Sequence, residues 1–120
     1  MKMFTAMAAT VMLATPALAQ QMNHQGMNHS MPATAANPYG PAEMKMHQEM
    51  MGATGADASE TWVRKMIEHH RGGVEMSRIA LAQAKDAEAR AKAQKTATMQ
   101  EKEIAELQGW LRRHGKQPQN

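Results

Sequence analysis

Methionine and histidine recur together in this chain, and their thioether and imidazole groups carry its most distinctive chemistry. A thioether is a soft, neutral ligand that suits Cu(I) or Ag(I) far better than Zn(II), Mg(II) or Ca(II), and imidazole suits copper in either oxidation state. The chain has 14 Met and 6 His but no Cys. Outside the cytoplasm a thioether has one advantage over a thiol: it is not lost to disulfides. Three clusters carry the pattern. Residues 22–31 repeat Met-Asn-His, giving Met22, His24, Met27, His29 and Met31. A second cluster holds Met44, Met46, His47, Met50 and Met51, and a third holds Met66, His69, His70 and Met76. On a helix, the four residues of the third cluster project over an arc of about 120°. One helix supplies at most two or three ligands. A closed site therefore needs a second helix, and the segment with Met44, His47 and Met51 is the expected source.

Each cluster also has a plainer reading. Met66 and Met76 can fill irregular gaps in a core, and Met99 is expected to pack in the same way. The adjacent His69 and His70 can be ordinary surface or core histidines, and the tail repeats can be inert low complexity. Glu103 is expected to bridge helices as an acceptor, with a histidine as one candidate donor. His114 is expected to be a charge partner at a helix C-terminus.

These residues need elements to position them. Lys2, the apolar run from Met3 to Ala14, the Thr15-Pro16 break and Ala17-Leu18-Ala19 read as an export signal over residues 1–19. The run is too short to span a bilayer. Residues 20–41 read as a disordered Met/His-rich tail closed by the turn Asn37-Pro38-Tyr39-Gly40-Pro41. A helical metal-binding domain follows over 42–116, with a short tail at 117–120. Its expected helices are 42–51, 59–84 and 87–114. Asp57 or Ser59 can cap the second, Asp86 the third, and Gly115 ends the last. In the second helix Val63, Ile67, His70, Val74 and Leu81 form one apolar stripe. Trp62, Met66, His69, Gly73 and Met76 form a neighbouring one. Arg64, Glu68, Arg71, Glu75 and Arg78 are expected on a solvated face. Ile104, Leu107 and Leu111 make the core stripe of the third helix. Gly72-Gly73 suggests close approach of another helix or of a Trp ring.

The expected fold is all-α: an antiparallel helical hairpin with a short N-terminal helix beside it. Composition restricts it further. Ala and Met dominate the apolar residues after position 19, and few large ones remain. That excludes a large α/β enzyme core and any transmembrane span. A net charge of +3 is too small and too mixed to argue for nucleic acid.

The stretch Met66-Ile67-Glu68-His69-His70-Arg71-Gly72-Gly73-Val74-Glu75-Met76 resembles the M-I-x-H-H-x-x-A-x-x-M signature of the domain of unknown function 305 family. Gln100-Glu101-Lys102-Glu103-Ile104 and Trp110-Leu111 are similar to its Q-x-x-E-I and W-L elements, and Met44-x-x-His47 to its upstream segment. The likeness covers about residues 42–114. Three departures, Gly73 for Ala, Arg71 for Gln and the lack of an apolar residue after the family's Asp, touch packing more than ligands. The resemblance implies a ferritin-like, four-helix-bundle type of fold, or a hairpin that completes one by dimerising. It implies copper binding through Met66, His69, His70 and Met76, and no settled catalytic activity.

The leading expectation is an exported protein, periplasmic or secreted, that binds copper and also silver. It would serve sequestration, resistance or handover to a copper-handling partner in the envelope. One alternative is a non-metal helical interaction module using the Met-rich face. The other is a ferritin-like metal oxidase. A di-iron site needs paired Glu-x-x-His motifs, and this sequence has none, so no enzyme is expected.

Overall fold

The computed structural model describes residues 32–120. The expected leader and most of the tail, with Met22, His24, Met27, His29 and Met31, lie outside the described residues. Three helices follow in order: α1 (Gly40–Gly52), α2 (Ala58–Gln83) and α3 (Ala87–Arg113). α2 and α3 pack as an antiparallel pair, and α1 lies against α2. No strand occurs among the described residues. Nor is any helix there long and apolar enough to cross a membrane.

Each boundary has a local cause. α1 begins two residues before the expected start because Pro41 sits in its first turn, where an amide has no helical partner to lose. The expected turn is present over Asn37–Tyr39, where Asn37 Oδ1 accepts from the Tyr39 amide at 3.2 Å, but Gly40 and Pro41 already belong to α1. Asp57 rather than Ser59 caps α2, accepting from the Glu60 amide at 2.9 Å. The Glu60 carboxylate returns to the Ala56 amide at 3.1 Å, a reciprocal exchange close to a capping box. Asp86 caps α3 through the Ala89 amide at 2.7 Å. Gly115, at φ +67°, takes the left-handed conformation that lets the Lys116 amide reach back to Leu111 O.

The core sits where the start of α2 meets the end of α3. Ile67 and Leu111 are fully buried beside Val63, with Ile104, Leu107 and Trp110 packed around them. Burying each such aliphatic side chain stabilises by about 1.5–3 kcal/mol. Toward the α2–α3 turn the pair is alanine-rich and thin, and nearly all of residues 82–92 are exposed. Gly72 and Gly73 both mark close approaches of a helix, not of a Trp. Met46 of α1 occupies the space a Cβ on Gly72 would need, and the Gln100 side chain of α3 does the same at Gly73.

Three expectations about faces need correction. The charged face of α2 is not all solvated. Glu68 is 4% exposed, and the segment after α3 folds back over it. The Gln119 side chain accepts from Arg64 Nη1 at 3.0 Å and donates to Glu68 Oε1 at 3.0 Å. Its backbone amide donates to Gln108 Oε1, and its carbonyl accepts from Arg71 and Gln108. The periodicity of α2 carries no information about a segment that returns from 50 residues away. Arg78 does lie in solvent, paired with Glu101. Trp62, expected in an apolar stripe, is 58% exposed, and Met99, expected to pack, is 50% exposed. Trp62 borders an open recess with Val63, Leu107 and Trp110.

Candidate metal centre

The flank of α2 that carries Trp62, Met66, His69, Gly73 and Met76 lies between the lines of contact with α1 and α3. Within it His69 and Met76 line an open groove of about 410 Å³. Gly73, Ser77 and Ala80 of α2 share that groove. Tyr39 and Glu43 enter from the start of α1, and Ala93, Thr96 and Gln100 from α3. His69 and Met76 are two turns apart, about 10 Å along the axis. Side chains on a helix lean toward its N-terminus, so Met76 leans over Gly73 toward His69. The Gln100 side chain of α3 fills the space beside Gly73. Met66 is half-buried one turn before His69 and does not line the groove.

His70 turns elsewhere. Its Nε2 meets Glu103 Oε2 at 2.5 Å, tying α2 to α3. The expectation that Glu103 bridges helices to a histidine therefore holds. The rings of His69 and His70 are 5.8 Å apart and inclined at 64°. The four residues of the third cluster thus divide: His69 and Met76 face the groove, and His70 faces the helix seam. Two buried polar atoms near this region have no partner among the described residues, His70 Nδ1 and Gln100 Oε1. The second belongs to a residue of the groove itself.

The second cluster is placed differently from the expectation. Met46 is the residue that α1 sets against α2. Met44, His47 and Met51 stand about 100–160° round the helix from it. His47 and Met51 are exposed and Met44 half-buried. They do not close the groove; Tyr39 and Glu43 do. A signal for this exists in the sequence. Ala42, Met46, Glu49 and Ala53 recur at spacings of four, three and four, and Ala42 and Ala53 are buried. Ala42, Met46 and Ala53 mark the inward face of α1, and Glu43 borders it. His114 caps α3, stacked on Trp110 at 3.9 Å between ring centroids. Among the described residues no three His, Asp or Glu side chains gather as a metal-holding group. The donors at the groove are instead mixed: one imidazole, one thioether, one carboxylate and one amide oxygen.

The sequence pattern of the family described as Domain of unknown function (DUF305) matches residues 2–111. The chain belongs to the DUF305 family. No curated protein and no solved structure matches it. The residues that carry the DUF305 likeness have visible work in the fold. Gln100 covers Gly73, Glu103 holds His70, and Ile104, Trp110 and Leu111 build the core. Met66, His69 and Met76 are left on the open flank, outside that core.

Proposed function

We propose that this DUF305 protein is an exported copper-binding protein, periplasmic or secreted, that sequesters copper or hands it on and performs no catalysis. One observation carries the reading: an imidazole and a thioether, His69 and Met76, share an open groove that the packing of the helices does not require. The donor set fits the ion. Thioether and imidazole together favour Cu(I) and Ag(I) over hard divalent cations, and Gln100, which lines the same groove, has a buried acceptor oxygen with no partner among the described residues. Met66, half-buried one turn away, can join through side-chain rotation. Copper would be cargo here. An open groove suits capture and release better than a closed cage. The tail, with Met22, His24, Met27, His29 and Met31, would add weak, fast-exchanging sites, and the exposed His47 and Met51 with Met44 a further one on α1.

The test is an anaerobic Cu(I) titration against a coloured competing chelator. His69→Ala and Met76→Leu are each expected to weaken the tightest site by about 10–100-fold. Unchanged binding in both would remove the groove as the site. A second reading, a helical interaction module, is favoured by the apolar recess of Trp62, Val63, Leu107 and Trp110. It requires partner capture that is indifferent to chelators and to His69→Ala.

A further inference from the structure

His69 and Met76 stand too far apart along α2 to enclose an ion by themselves, and the groove brings a harder donor to them. Glu43 projects from the first turn of α1 into the same groove. Among the described residues its carboxylate joins no ion pair, although eight such pairs occur there. Glu75 and Glu101, also on helix surfaces, each have a Lys or Arg partner; Glu49 of α1 has none there either, but it does not line the groove. Across the groove Gln100 holds a buried, unpartnered oxygen, pinned by its contact with Gly73. Among the described residues, two side chains with oxygen atoms that have no partner thus line one groove with an imidazole and a thioether. Oxygen and nitrogen donors favour Cu(II), whereas thioethers favour Cu(I).

We infer that Glu43 is a metal ligand, and that with His69 it lets the groove hold Cu(II) as well as Cu(I). This rests on the copper reading above and adds a residue and an oxidation state to it. The donors divide by softness: Met76 contributes chiefly to Cu(I), Glu43 chiefly to Cu(II), and His69 to both. Since α1 carries Glu43 and α2 the other two, the site also depends on the docking of α1 through Met46 on Gly72.

The experiment compares the two ions on the full chain carrying His24→Ala and His29→Ala, so that tail imidazoles do not mask the groove. Cu(II) is added as the sulfate and followed by electron paramagnetic resonance and chelator competition; Cu(I) is titrated anaerobically. Glu43→Gln keeps the side chain's shape and removes its charge. It is expected to weaken Cu(II) by about tenfold or more while leaving Cu(I) within about twofold. Met76→Leu is expected to do the reverse, and His69→Ala to weaken both ions and remove the coupled nitrogen from the Cu(II) spectrum. Cu(I) binding that needs His69 and Met76, with Cu(II) binding indifferent to Glu43→Gln, would overturn this inference and leave the copper reading standing. Equal loss of both ions in Glu43→Gln would overturn the division by oxidation state. Binding of both ions indifferent to His69→Ala and Met76→Leu would overturn the copper reading itself.

Discussion

Adjacent histidines on one helix are held by different forces. His70 is largely covered, with 15% of its side chain exposed, and is bonded to Glu103, whereas His69 stands in the open groove. Spacing alone places both on one arc and does not separate them. What separates them is the partner across the seam, a carboxylate 33 residues away. Glu60 shows a carboxylate in the opposite situation from Glu43. The Ala56 amide, then the Arg64 guanidinium and the Lys116 ammonium, hold its carboxyl well below the ordinary 4.5, at about 2. A depressed folded-state pKa contributes stability that is fully present above the unfolded value and lost as pH falls through the folded one. The native protein should therefore lose this contribution between about pH 5 and pH 2. Glu60→Gln should be less stable at pH 7, and its deficit should shrink across that window. Urea melts of both proteins at pH 7, 4 and 2.5 measure it; a deficit that does not change with pH would show the charge to be irrelevant.

The helices themselves are legible, because caps are local. Asp57, Asp86 and Gly115 act where their types suggest, and α2 and α3 end within a residue of expectation. Which face of each helix is covered is less legible. The Met44, His47 and Met51 row draws the eye by chemistry, yet small residues at Ala42 and Ala53 decide how α1 docks. The charged face of α2 looks solvated until the segment after α3 returns to it. Gln119 is the centre of that strap, and its side chain completes the partners of Arg64 and the buried Glu68. Gln119→Ala leaves two charged groups short of one bond each and should cost about 1–3 kcal/mol. Thermal melts should show that loss, while Lys116→Ala in the same background separates the strap's other tie, to Glu60. A variant as stable as the parent would mean that water replaces Gln119 without penalty.

At the scale of the whole molecule, the hairpin and the tail are expected to be separable. The core of Val63, Ile67 and Leu111 lies far from the Met/His repeats in sequence. Deleting residues 20–41 should therefore lower the number of copper ions bound without lowering the helical circular dichroism per residue. Loss of helix would instead make the tail part of the fold, and an unchanged stoichiometry would make its repeats inert. The sequence by itself determined the helical class, the three helices, their order and their caps, because 3.6-residue periodicity and end chemistry act over a few residues. It also determined the soft donor chemistry, since thioether and imidazole keep their ligand preference wherever they stand. Only the tertiary structure decided which donors meet. It put His69 and Met76 beside Glu43 and Gln100, sent His70 to Glu103, and left Met44, His47 and Met51 on the outside. The physical reason is that contacts between elements depend on which faces bury. In a chain this poor in large apolar residues, those faces are chosen by Gly72, Gly73, Ala42 and Ala53, whose lack of bulk leaves little trace in a hydrophobic pattern.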